Sequence, residues 1–113
     1  MDCIFCKIVE GSIPSSKVYE NDSVVAFHDI QPAAPVHILI IPKKHIATMN
    51  DVAPEDHGLI GDIFAAARHI AQELGIAEDG YRLVNNVNSH GGQVVYHLHV
   101  HLLGGKKLGP LPA

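Results

Sequence analysis

Nine of the 113 residues are histidine, and three of them alternate with apolar residues in Tyr96-His97-Leu98-His99-Val100-His101-Leu102-Leu103. In an extended chain this spacing puts His97, His99 and His101 on one face, about 6.7 Å apart along the strand. Leu98, Val100 and Leu102 then point the other way. Histidine is neither a favoured strand former nor a common core residue. Near neutral pH, however, it serves as nucleophile, base, hydrogen-bond donor or metal ligand. Two chemistries fit the pattern: three imidazoles around a transition metal, or imidazoles acting on an anion. The segment Asn88-Ser89-His90-Gly91-Gly92-Gln93 stands just before it. Paired glycines either let backbone N–H groups close on a phosphate or make a plain hairpin turn.

Cys3 and Cys6 form a Cys-x-x-Cys pair, which in a reducing compartment is a metal half-site or two thiols rather than a structural disulfide. Eight Lys and Arg against twelve Asp and Glu give a formal charge of −4, which argues against a nucleic acid polymer but leaves a single nucleotide open. Apolar residues make up 47% and charged residues 18%, the composition of one packed domain spanning 1–113. The longest apolar stretch, 36–42, contains His37 and is too short to cross a bilayer. Met1-Asp2-Cys3 does not begin an export signal, so a cytoplasmic location is expected.

The elements that must position these groups are legible in outline. Ile4, Phe5, Ile8 and Val9 have the spacing of a short N-terminal helix stopped at Gly11. Val18-Tyr19 and residues 23–28 predict a hairpin, and His37-Ile38-Leu39-Ile40-Ile41 a central strand ending at Pro42. From Pro54 to Leu74, Ile60, Ile63, Phe64, Ala67, Ile70, Ala71 and Leu74 recur at intervals of three and four, predicting a long helix stopped by Gly75. Residues 81–87 predict another strand, 88–92 a turn and 94–103 a long final strand. The expected class is α+β: an antiparallel sheet meander with one long covering helix and a short N-terminal helix. His57, His69 and His90 are expected on the surface.

The run His97-Leu98-His99-Val100-His101-Leu102-Leu103 resembles the histidine triad motif of the histidine triad (HIT) superfamily. Ala26-Phe27-His28-Asp29-Ile30, residues 35–46, Gly80-Tyr81-Arg82-Leu83-Val84 and Gly91-Gly92-Gln93 are similar to its HINT-like branch of purine nucleoside phosphoramidases. The resemblance runs from about Ile4 to Gly105. It implies a homodimeric hydrolase that cleaves the P–N bond of purine nucleoside 5′-phosphoramidates through a nucleotidyl-histidine intermediate. It implies His99 as nucleophile, His101 on the phosphate oxygens, and His97 and His37 in support.

The resemblance further implies a base site from Ile4, Phe5, Ile8, Phe27, His28 and Ile30, with Asp29 accepting from the ribose hydroxyls. Asn86, Gly92, Gln93 and Val94 would stand on the phosphate side. Several relatives have a serine or another polar residue where this chain has Val94, which bears on protonation of the leaving amine. In a zinc-binding subset, a Cys pair is completed by two histidines at positions matching His45 and His97. Cys3, Cys6, His45 and His97 would then hold a structural zinc, with no cofactor required for the chemistry. Two other functions share the motif: a dinucleoside polyphosphate hydrolase or nucleotidyl transferase using His99, and a non-catalytic purine-nucleotide sensor. A redox-active or metal-dependent protein using its histidines as catalytic ligands is the third.

Overall fold

A computed structural model describes residues 3–111; Met1-Asp2, where the export reading begins, and the end of the tail lie outside them. The elements in chain order are α1 (Ile4–Glu10), β1 (Lys17–Glu20), β2 (Val24–His28), β3 (Val36–Pro42), α2 (His57–Glu73), β4 (Arg82–Val84) and β5 (Val100–Gly104), with three single 3-10 turns between them. The strands form one antiparallel sheet in the order β1-β2-β3-β5-β4. This is the α+β architecture that the sequence predicts.

Both faces of the sheet are covered, which is why β2 and β3 are apolar apart from His28 and His37. Val24, Ala26, Ile38, Ile40, Val100 and Leu102 pack beneath α2 against Ile63, Ala66, Ala67, Ile70 and Ala71. Val25, Phe27, Leu39 and Ile41 face the opposite way and meet Phe5 and Ile8 of α1. Phe64 and Leu74, expected in the helical stripe, are instead 46% and 38% exposed. Phe64 falls at the margin of the apolar arc formed by Ile63, Ala66, Ala67, Ile70 and Ala71, and Leu74 is the cap residue just past the end of α2. Asp56 precedes α2 and accepts from Lys44 Nζ at 2.7 Å, while Gly75, with φ +73°, ends the helix by donating to Gln72 O.

The final strand departs from expectation. Only residues 100–104 are in the ladder, and 94–99 run as irregular chain. The cause lies in the neighbours. β4 spans only Arg82–Val84 rather than 81–87, and its pairing to β5 ends at Val84 opposite His101. On the other side β3 ends at Pro42, and the Leu98 N–H donates to Ile46 O beyond that end rather than to β3. His97 and His99 therefore lie just outside the sheet, and their placement depends on side-chain and loop hydrogen bonds. The alternation itself persists: Leu98, Val100 and Leu102 all enter the core beneath α2.

Candidate active site

The last two triad histidines stand in one wall of a cleft of about 820 Å³ that opens on the α1 side of the sheet. The tautomer of each ring is set by a hydrogen-bond chain that ends on a backbone group able to act in only one sense. His99 Nδ1 lies 2.8 Å from His97 O. A carbonyl only accepts, so Nδ1 carries the proton and Nε2 keeps its lone pair. His99 is 8% exposed and lines the cleft, and the Phe5 ring meets it edge-on with centroids 5.2 Å apart.

A second chain of donors fixes His101. The Ala33 N–H donates to His37 Nδ1 at 3.0 Å, which requires His37 to carry its proton on Nε2. Nε2 then donates to His101 Nδ1 at 2.9 Å, leaving the N–H of His101 on Nε2, the opposite edge of a ring that lines the cleft. Asp29 Oδ2 lies 3.4 Å from His37 Nε2, and Asp29 Oδ1 accepts from Gln31 N at 2.8 Å. Asp29, His37 and His101 bring ligand atoms within 4.8 Å of one another. Because Ala33 keeps the proton on His37 Nε2, that edge donates a hydrogen bond and has no lone pair for an ion.

Burial holds His101 down at about 4, with repulsion from positive charge on His99 and His37 acting in the same direction and Asp29 opposing them. Burial also lowers His37 and His97. All three rings are neutral at pH 7. Between pH 6.5 and about 4 the unfolded chain binds protons that the folded chain refuses at His101, so stability rises with pH across this window. The expected result is a melting temperature several degrees lower at pH 5 than at pH 7. The His101→Asn variant should show a smaller pH dependence, read by thermal unfolding at matched ionic strength.

The cleft gathers most of the residues the sequence assigns to a ligand. Ile4, Phe5, Ile8, Phe27, His28 and Ile30 line it, as do Asp29, Asn86, Gly92 and Val94. Ile30 and Val94 are 94% and 87% exposed at its margin. Gln93 is not in the lining. It is buried, donates from Nε2 to Ala47 O and Val95 O, and accepts from Asn88 N, so it braces the turn. Of the two readings of Gly91-Gly92, the amides follow the turn: Gly91 N donates to Asn88 O and Gly92 N to Ser89 O. Gly92, at φ +81°, brings backbone to the cleft without a side chain. His57, His69 and His90 are exposed, as expected.

Sequence reasoning missed several wall residues, among them Ile13, Ser15 and Leu39. Ser15 Oγ is buried and has no hydrogen-bond partner among the described residues. It also missed Ala33 and Asn85, whose roles depend on a backbone donor and on the exact strand end.

Beside the cleft, Cys3, Cys6, His45 and His97 converge. His97 Nε2 donates to Pro42 O at 2.7 Å, which leaves its Nδ1 lone pair facing the cluster. Nδ1 is 3.4 and 3.5 Å from the two sulfurs and 3.2 Å from His45 Nδ1, which is 3.2 Å from Cys6 Sγ. Bond lengths of about 2.0 Å to nitrogen and 2.3 Å to sulfur give tetrahedral edges of roughly 3.3–3.8 Å, so the separations suit a four-coordinate ion. The four residues could hold a metal ion. Three come from α1, its cap and the loop after β3, and His97 joins them to the triad.

A model of the HIT domain matches residues 10–108. The chain belongs to the HIT domain family. It is 55% identical over 112 residues to the purine nucleoside phosphoramidase of Escherichia coli (strain K12), covering 99% of this chain and 94% of that one. Among solved structures, the HIT family hydrolase of Legionella pneumophila Philadelphia 1 superposes with a TM-score of 0.96 at 54% identity, covering 99% of this chain and all of that one. The histidine triad nucleotide-binding protein of Candida albicans gives a TM-score of 0.83 at 36% identity, covering 99% and 85%. The HIT domain thus accounts for the sheet, the helices and the alternating histidines together.

Proposed function

We propose that this chain is a hydrolase of purine nucleoside 5′-phosphoramidates, cleaving P–N through a nucleotidyl intermediate on His99. The observation that carries the reading is the single hydrogen bond from His99 Nδ1 to His97 O, because it places the proton on Nδ1 and turns the Nε2 edge of a cleft-lining ring to the nucleophile's role. Similarity to a protein named purine nucleoside phosphoramidase supplies the substrate class. His99 Nε2 attacks the α-phosphorus, a P–N bond to the imidazole forms and the bond to the amine breaks. Water then attacks phosphorus, the imidazole leaves, and the monophosphate is released. The departing amine must take up a proton, a role the alkyl side chain of Val94 cannot fill.

His101 Nε2–H donates to the phosphate oxygens, and His37 supports it from behind. Ile4, Phe5, Ile8, Phe27, His28 and Ile30 hold the base, Asp29 accepts from the ribose hydroxyls, and Asn86 and Gly92 border the phosphate. Gln93 acts by bracing the turn and Val94 borders the leaving group. Cys3, Cys6, His45 and His97 hold a structural zinc, which ties α1 over the cleft and takes no part in the reaction. The whole chain, 1–113, acts as one domain in the cytoplasm. Its edge strand β4 and the exposed Phe64 and Tyr81 support pairing with a second copy.

Turnover of adenosine phosphoramidate against diadenosine tri- and tetraphosphate tests the substrate class. Faster cleavage of the phosphoramidate is expected; preference for the dinucleotides would transfer the chain to the polyphosphate hydrolases. The donor chain through His37 makes a separate prediction. Ala33→Pro removes the N–H that fixes the His37 tautomer, and the new proline follows Pro32 in a loop already rich in proline. His101 is then free to turn a bare nitrogen to the phosphate. AMP should bind about tenfold more weakly and adenosine within about twofold of wild type, measured by calorimetry. Equal weakening of both ligands would contradict the relay.

A further inference from the structure

His99 lies one residue beyond the last rung of the sheet on the β3 side and two beyond it on the β4 side. β3 pairs with β5 as far as Ile40 opposite Val100, and β4 as far as Val84 opposite His101. Where the backbone ladder ends, a side chain continues it: Asn85 Nδ2 donates to His99 O at 2.9 Å. The bond is partly buried and spans fourteen residues of sequence. The imidazole is held from one end by its own Nδ1 on His97 O, and the peptide that carries it is held from the other end by Asn85. His97 is in turn anchored through Nε2 on Pro42 O. The Asn85-Asn86 pair divides its work in the alternating way of an extended segment, since Asn86 lines the cleft and Asn85 does not.

We infer that Asn85 is a positioning residue for the reaction, setting the direction from which His99 Nε2 meets phosphorus. The inference rests on the reading of His99 as nucleophile. Its physical basis is that an attacking atom must be held in a near-attack geometry, and that small displacements of such an atom cost rate more than they cost ground-state binding. Among the described residues Asn85 is the side chain that bonds this carbonyl at the strand end and fixes its peptide plane; without it, the ring can swing on its remaining bond. Asn85 makes no contact with the ligand in this account, so nucleotide affinity should be nearly independent of it.

The test uses two variants of the full chain. Asn85→Asp keeps the shape but removes the donor and turns a carboxylate toward the carbonyl, while Asn85→Gln retains an amide on a longer arm. For Asn85→Asp, the single-turnover rate of nucleotidyl transfer from adenosine phosphoramidate should fall by about tenfold or more. KM and the AMP dissociation constant should stay within about twofold, and Asn85→Gln should recover part of the rate. As a readout independent of turnover, the ¹⁵N spectrum of His99 should change from a single Nδ1–H tautomer to a mixture in Asn85→Asp. Unchanged rate and unchanged tautomer in Asn85→Asp would overturn the inference, as would a loss of AMP binding equal to the loss of rate. If wild type fails to cleave the phosphoramidate, the proposed function falls, and the tautomer spectrum still decides the role of Asn85.

Discussion

A His99→Ala chain is expected to bind AMP within about threefold of wild type and to turn over adenosine phosphoramidate at least about a thousandfold more slowly. Loss of a nucleophile removes the covalent route altogether, and the groups that served it become nearly idle. The remaining phosphate contact through His101 Nε2 and the apolar cleft do not depend on His99, so affinity should survive. Truncation leaves a space beside Phe5, whose ring meets His99 edge-on. A few kcal/mol of stability is the expected cost. His99→Asn, which fills more of that space, controls for it: both variants should be equally inactive despite different melting temperatures. Unchanged slow turnover with retained binding would instead mark a nucleotide sensor.

Removal of metal should have the largest effect on stability. The purified chain is expected to contain one zinc per copy by elemental analysis, and exhaustive chelation should lower its melting temperature by about 10 °C or more. In the chain without metal, burial pushes the Cys6 thiol up to about 11, reinforced by its hydrogen bond with Cys3 and repulsion from Cys3 and Glu10. A bound cation must displace that proton, so affinity should rise with pH. Cys6→Ser should reproduce the chelated melting temperature and be insensitive to chelator. Below the melting transition, chelated protein should retain phosphoramidase turnover, because the ion is not asked to touch substrate. Complete loss of chemistry from a folded, chelated chain would make the histidines catalytic ligands.

Much of this molecule is legible in local sequence pattern, and the departures have a common cause. The period of α2 and the unbroken apolar run of β3 follow from burial on one helical face and on both faces of a strand, which residue types record directly. The alternation at 97–101 correctly separates core-facing Leu98 and Val100 from the histidines. It wrongly extends the strand back to 94, because strand length is set by partners: pairing with β3 stops at Ile40 and with β4 at Val84, and neither limit is written in the His-rich segment itself. Gln93 and Gly91 were equally ambiguous, as an amide or a glycine before a site suits a turn and a ligand alike. Ala33 and Asn85 were invisible, since one acts through its backbone N–H and the other through a bond to a carbonyl fourteen residues away.

The most direct measurement is mass spectrometry of the full chain quenched in acid-free denaturant during turnover of adenosine phosphoramidate, followed by fragmentation of the peptide around residues 97–101. A nucleotidyl group should be found on His99, rising within the first turnover, and be absent from the His99→Ala chain. The adduct on His97 or His101, or none at all while product accumulates at full rate, would contradict the account.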